Sequence, residues 1–473
     1  MLKYIIEKEL RDMISSTKFV VTFAICAVLI LLAFYTGAQN YRVSQSQYQA
    51  AKTENLRQLE GLTDWIMVRN FRIFLPPEPL AALVTGISND IGRSVTVQGR
   101  GELATQDSRF SDEPVFAVFR FLDLDFIFQI VLSLFAILFA YDAINGEKER
   151  GTLRLTFANA VPRAQYILGK IIGSFLALAV PVLLAILLGC LLLPLLGVHL
   201  NGDEWLRLGL MIFAGLLYFG VFLMLAVFIS SLTHRTSSSF LLLLVIWIFS
   251  VLIIPRTAVL LAGRAVDVPS VDEIASQKNR LRSQLWSEDR KKMSEFKPTQ
   301  NGDPQTMVSE FNKFMSEAAD EREKKMNELA SRLNEDRHNK QAVQEKLAFG
   351  LARLSPAATF SMATTNLAGT SMDMKAHFLS EAQAYQKTYA EFMQSKTGMN
   401  IGGGAMVFRM RSGDGEEDVE KPIDAKELPE FNYAGLPLDR VVGAALPDLG
   451  ILALFNLLFF AGAFVAFLRY DLR

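Results

Sequence analysis

A polar stretch interrupts an otherwise apolar part of the chain at Asn145-Gly146-Glu147-Lys148-Glu149-Arg150-Gly151-Thr152-Leu153, and Pro162-Arg163 and Gly169-Lys170 follow it. Fixed charges of both signs beside a Gly-Thr pair suit a short, capped helix, and taken by themselves Glu147 to Arg150 would only solvate a turn and satisfy the positive-inside bias. Phosphate binding is not indicated, because Gly169-Lys170 is followed by Ile171 and lacks the upstream glycine of a P-loop. The triple glycine Gly402-Gly403-Gly404 reads as a flexible turn. HExxH, CxxC and GxSxG are absent, and His199, His234, His338 and His377 show no metal-ligand spacing. Asp272, Glu273 and His377 form no catalytic pattern, and acidic residues on a helical face are normally solvated. Cys26 and Cys190 sit in apolar runs and read as packing residues, not as a disulfide. The chain is therefore expected to be non-catalytic, with no metal or cofactor of its own.

The elements that hold this stretch are set by the apolar windows around it. Hydrophobic side chains make up 51% of the 473 residues, too many for an ordinary soluble protein of this length. A bilayer span needs about 20 apolar helical residues. Such windows lie near residues 19–38, 122–144, 168–197, 205–232, 239–262 and 446–468. The expected fold is an α-helical polytopic membrane protein with about six transmembrane helices. The third window contains Pro181 and Pro194, so it is expected to bend, to tilt, or to end before Pro194 with an interfacial tail. Few ionisable residues lie inside the windows, which disfavours an ion-coupled carrier. Asp123, Asp125 and Asp142 stand near the interfaces as anchors or caps. A net charge of -1 argues against nucleic acid as a partner.

Orientation follows from lysine and arginine, which short cytoplasmic loops retain. Residues 1–18 carry Lys3, Lys8, Arg11 and Lys18, and the connection 145–167 with its flank carries Lys148, Arg150, Arg154, Arg163 and Lys170. His234, Arg235, Arg469 and Arg473 agree, whereas the turn from His199 to Glu204 has neither lysine nor arginine. Both termini, including the tail 469–473, are thus expected in the cytoplasm of a bacterial inner membrane. No cleaved leader is expected, because Met1 to Lys18 alternates charged and apolar residues without a small-residue cleavage motif.

That topology places residues 39–121 and 263–445 outside the membrane. The first reads as a small mixed α/β domain, helical from Gln47 to Phe74 and with a strand at Ser94 to Gln98. The second reads as larger and mainly helical. Ile274, Leu281, Leu285 and Trp286 mark one side of a helix over Val271 to Lys297, and Pro298, Gly302 and Pro304 then break the chain. Met307, Phe311, Phe314, Ala318, Met326, Leu329, Leu333, Val343 and Leu347 mark a longer one, so a helical hairpin is expected. From Ile401 to Tyr433, strand and loop are expected, with an alternating run Met406 to Met410 and an acidic run Asp414 to Glu420.

The polar connection resembles that of the ABC-2 type permeases, in which an acidic pair, Gly-Thr-Leu, a Pro-Arg turn and a Gly-Lys join the second and third spans. Glu147, Glu149, Gly151, Thr152, Leu153, Pro162, Arg163, Gly169 and Lys170 match that pattern, and Glu7 to Met13 is similar to the family's interfacial connecting helix. The resemblance implies the membrane subunit of an ATP-driven ABC exporter. Glu147, Glu149, Arg150, Gly151, Thr152, Leu153, Pro162 and Arg163 would couple it to a separate ATPase. It also implies two ATPase copies, which bind the ATP and Mg, and a second permease chain, identical or paralogous. Leu75-Pro76-Pro77-Glu78-Pro79-Leu80, Leu354-Ser355-Pro356-Ala357 and Leu367-Ala368-Gly369-Thr370 are similar to a subgroup with two extracytoplasmic insertions. The large second insertion departs from the usual family plan, so the substrate is not inherited. Besides membrane lipid, a periplasmic or envelope partner would meet the insertions. Two other readings stand beside transport: a machine that transmits ATP-driven motion to such a partner without cargo, and a membrane-anchored scaffold or receptor.

Overall fold

The computed structural model describes residues 2–68, 71–88, 92–97, 103, 105–106, 123–158, 161–295, 304–397 and 422–469. Six helices in it are long and apolar enough to cross a bilayer: Thr17–Arg57, Leu124–Glu149, Arg163–Leu195, Gly202–Leu232, Thr236–Ala265 and Leu438–Arg469. The chain divides into two compact units, residues 1–255 with 352–473, and residues 256–351.

In the first unit, helix α1 (Leu2–Ile14) precedes α2 (Thr17–Arg57), whose start is capped by the Ser16 hydroxyl accepting from the Phe19 N–H at 3.2 Å. The second span is assembled from α3 (Leu124–Phe126), a π-helical stretch Ile127–Leu132 and α4 (Ser133–Ala140), and a turn leads into α5 (Asn145–Glu149). A short α6 (Thr152–Ala158) leads to α7 (Arg163–Leu195), α8 (Gly202–Leu232) and α9 (Thr236–Trp247). Of the alternatives left open for the third window, an end before Pro194 is not realised: α7 runs on to Leu195. The lost hydrogen bond falls in the last turn, where the Val198 N–H reaches back to the Leu193 carbonyl and Gly197 adopts φ +83° to close the helix.

The second unit begins with most of α10 (Ile254–Ala265) and contains α11 (Val271–Glu295) and nearly all of α12 (Pro304–Ala352). Later residues of α11 meet earlier residues of α12, as in an antiparallel pair. Lys292 lies 3.0 Å from Glu321, Asp289 pairs with Arg322, and the Arg322 guanidinium stands 4.2 Å above the Trp286 ring. Ile274 and Leu285 are buried as the apolar spacing required, but Trp286, Val343 and Leu347 remain exposed. Two helices share one narrow seam, and these side chains flank it. Pro298 and Gly302 lie outside the described residues.

The chain returns to the first unit at α13 (Pro356–Ala368), followed by α14 (Met372–Thr397) and α15 (Leu438–Arg469). Pro356 opens α13, the Ser355 hydroxyl caps it, and Gly369 at φ +71° ends it. Ala357, Phe360, Ala363 and Leu367 of α13 are fully buried against α8 and α15. This short helix, within a segment read as extracytoplasmic, also reaches the second span. Ser361 and Thr364 both donate to the buried Asp125 carboxylate at 2.9 Å, and Phe360 stacks 4.8 Å from Tyr218.

A three-stranded antiparallel sheet, β1 (Phe71–Phe74), β2 (Ser94–Val97) and β3 (Thr105–Gln106), lies in the order β1-β2-β3, with Phe71 opposite Val97 and Ser94 opposite Gln106. The strand expected from Ser94 is present. The helix expected to Phe74 instead ends at Arg57, because Gly61 turns the chain at φ +87° and Phe71 and Ile73 then alternate inward around exposed Arg72. The two segments read as separate domains meet here in one aromatic core. Trp65 stands edge-on to Phe392 at 4.9 Å and Phe71 stacks on Tyr389 at 5.8 Å. The runs from Ile401 to Glu420, including Gly402 to Gly404 and Met406 to Met410, lie outside the described residues. From residue 422 to Tyr433 the chain is irregular apart from the 3-10 turn Ala425–Glu427.

Candidate functional site

The polar connection between the second and third spans is a junction of five helices. On one side α1 crosses α7 where two glycines one turn apart remove the side chains between them. A Cβ on Gly169 would stand 2.6 Å from Ile5, and one on Gly173 would stand 2.7 Å from Glu9. This close approach brings the Glu9 carboxylate to 2.6 Å from the Lys170 ammonium. Glu147 of α5 sits 2.8 Å from the same ammonium, accepts a hydrogen bond from the Tyr166 hydroxyl, and lies 3.8 Å from exposed Lys8. Lys170 and Glu9 are both only 7% exposed at their side chains, so each charge is stable there through the others. Burial pushes the Glu9 carboxyl upward, and the Lys170 charge opposes that shift.

The opposite side of α5 is fastened to the turn between α8 and α9. The Ser230 hydroxyl accepts from the N–H groups of Ile144 and Asn145 at 3.0 and 3.1 Å and donates to the Asn145 amide oxygen at 3.1 Å. The Asn145 amide in turn donates to the Thr233 hydroxyl at 3.0 Å. Lys148 reaches the Ser231 carbonyl at 2.6 Å, satisfying the end of α8 with a cation, where the helix dipole favours one. Glu149 accepts from both the N–H and the hydroxyl of Thr236 at 3.0 Å and so caps the start of α9.

These contacts divide the residues singled out in the sequence into two groups. Glu147 and Glu149 are committed to neighbours within the chain. Arg150, Gly151 and Thr152 are exposed, Gly151 at φ +72°, and the Thr152 hydroxyl donates back to the Glu147 carbonyl at 3.3 Å. Leu153 points inward at 2% exposure, whereas Leu155 on the outer side of α6 is 69% exposed. Exposed Pro162 sets the entry to α7, and Arg163 donates to the Leu468 carbonyl at 2.9 Å, in the last turn of α15. Phe157, Tyr166 and Phe467 pack ring against ring behind it, with centroids 5.3 to 6.0 Å apart.

Glu9, Tyr166, Asn145 and Ser230 were not among the sequence candidates. Glu147 and Lys170 are the members of the buried charge cluster that the sequence had marked. Asp123, read as an anchor or cap, caps a helix start: its carboxylate accepts from the Thr85 and Phe126 N–H groups at 3.0 Å. At Asp142 the contact is made by the backbone, whose carbonyl accepts from the Gly146 N–H at 3.0 Å. Asp125, read with them, is instead interior to the helix packing.

A family model described as ABC-2 family transporter protein matches residues 4–472, nearly the whole chain. The chain belongs to the ABC-2 transporter family. It is a non-catalytic permease subunit of that family, and multi-pass by its six candidate spans. Two curated permeases are similar to part of it. The probable ABC transporter permease protein NosY of Stutzerimonas stutzeri is 40% identical over 125 residues, covering 26% of this chain and 45% of the relative. The protein of the same description from Pseudomonas aeruginosa is 36% identical over 126 residues, with the same two shares. The chain thus spans less than half the length of the curated relatives it matches.

Proposed function

We propose that this ABC-2 permease is the membrane half of an ATP-driven exporter, in which two permease chains, identical or paralogous, pair with two ATPase subunits. The α5–α6 connection is the docking element, with both termini on its side of the membrane. The observation that carries this reading is the division within that connection. Its Glu147, Lys148 and Glu149 side chains grip α1, α7 and the α8–α9 turn, while Arg150, Thr152 and Leu155 are presented outward. A partner that pushes on the exposed side would move three spans and the N-terminal helix together.

Co-purification of the tagged permease with its ATPase tests this. Arg150→Glu combined with Leu155→Asp should abolish capture of the ATPase while leaving the permease monodisperse. Undiminished capture, with ATPase activity still coupled, would remove the docking assignment.

A second reading, transmission of motion to an extracytoplasmic partner without cargo, is favoured by α12, whose 49 residues amount to about 73 Å of helix. Cysteine crosslinks between spans of the two permeases separate the readings. Cargo movement in vesicles that stops on crosslinking supports export, whereas partner activation without vesicle transport supports transmission.

A further inference from the structure

The second and fifth spans share an irregularity. Each leaves the α pattern for six residues, Ile127–Leu132 in the second and Ile248–Ile253 in the fifth, where the backbone turns π-helical. Such stretches are rare, and their looser ladder lets a helix bend. Each has a local chemical reason. The Ser133 hydroxyl turns back to the carbonyls of Gln129 and Ile130, the latter at 3.2 Å, and competes with the ladder there. Pro255, just after the fifth-span stretch, has no N–H to offer the Val251 carbonyl.

The two stretches meet at one buried bond. Ser133 follows the first stretch, Trp247 precedes the second, and the Trp247 indole N–H donates to the Ser133 hydroxyl at 2.7 Å. On the side of this bond toward the α5–α6 connection, the regular helices α4 and α9 are fastened together. The Ser239 hydroxyl donates to the Tyr141 carbonyl at 2.9 Å, the Tyr141 ring stands edge-on to Phe240 at 5.4 Å, and Glu149 of α5 caps α9. Helices α4, α5 and α9 thus form one block, tied at both ends. On the other side of the bond, the stretches are held by elements outside that block. Tyr218 of α8 donates to the Gln129 carbonyl at 3.0 Å, and Ser355, at the start of α13, donates to the Ser250 carbonyl. Ser361 and Thr364 of α13 hold Asp125, two residues before the first stretch.

We propose that the paired π stretches are a hinge about which α4, α5 and α9 swing as one body. The Trp247–Ser133 bond keeps the two stretches in step, and α13 anchors their far side. The hinge belongs to the permease alone; that a docked ATPase drives it rests on the function proposed above.

Hydrogen exchange on the full-length permease in detergent, without ATPase, tests the hinge. Trp247→Phe alters the fifth span alone, yet it should quicken exchange about tenfold in residues 127–132 as well as in 248–253, as the loss of one buried hydrogen bond predicts. Ser133→Ala should do the same from the other span, and α4 and α9 should stay protected in both variants. Quickening that is absent, confined to the altered span, or spread evenly through α4 and α9 would overturn the hinge. With the ATPase bound, spin labels on Leu138→Cys of α4 and Leu242→Cys of α9, both exposed positions, should keep their separation when ATP is added, while each shifts against a label on Leu187→Cys of α7. A changing separation between the first two would contradict the single block. Coupled exchange without any ATP-driven shift would support the hinge and count against the ATPase reading.

Discussion

The Lys170 ammonium of α7 lies 2.8 Å from the Glu147 carboxylate of α5, and this pair joins the polar connection to the third span. Because Glu9 of α1 reaches the same ammonium at 2.6 Å, one buried cation serves two carboxylates from different helices. Removing the cation strands both. Lys170→Met should therefore destabilise the chain by about 3–5 kcal/mol, the usual cost of leaving a buried charge uncompensated. Thermal unfolding in detergent reads this directly. Lys170→Met with Glu9→Gln and Glu147→Gln should recover much of the loss, and a triple variant no more stable than Lys170→Met would refute the pairing.

At Gly169 the crossing of α1 over α7 has no room for a methyl group. Gly169→Val should detach α1 from α7, and a spin label placed on α1 should then gain mobility. Gly169→Ala should cost about 1–3 kcal/mol, as overpacking of a close contact does. Gly209 has open space around it and serves as control, so Gly209→Ala should leave the label unaffected.

Ser230 organises the other side of α5 through three hydrogen bonds. Ser230→Ala strands the Ile144 and Asn145 N–H groups and should cost about 1–3 kcal/mol. Because the exposed side of the connection is untouched, the ATPase should still be captured while stimulation of ATP hydrolysis falls. Equal loss of capture and stimulation would indicate a merely structural role.

Glu78 provides a pH dependence on the opposite flank of the protein. Burial raises its carboxyl from 4.5 to about 7, with Arg207 opposing the shift and Glu204 adding to it. Between those values the folded state holds a proton that the unfolded state has released. Local stability is therefore greatest at low pH and declines as pH rises from 4.5 through about 7. Hydrogen exchange around residues 79–84 should quicken across that interval, and Glu78→Gln should abolish the change.

How much of this was legible in the sequence follows from the physics of each part. The six spans were legible because a bilayer demands uninterrupted apolar length, and residues such as Leu183 to Leu188 supply it without tertiary help. The helix ends were less so. Arg57 closes α2 far beyond the apolar window because helical propensity continues after hydrophobicity stops. The strand Phe71–Phe74 was hidden inside a helical pattern, since its partner Ser94–Val97 is distant in sequence. In the candidate site, charge and glycine marked Glu147 to Gly151. No local pattern could reveal that Ser230 faces Asn145 from 85 residues away. Glu9 looked like one more charge of an amphipathic helix until Gly173 brought it against Lys170.

The most direct test of the docking element places a cysteine at Leu155, where the side chain is exposed, in a chain whose own Cys26 and Cys190 are buried. In intact cells, Leu155→Cys should resist a membrane-impermeant maleimide added from outside and should crosslink to the ATPase subunit. Ready labelling from outside would contradict the orientation, and labelling in opened vesicles that is equal with and without the ATPase would contradict the docking role.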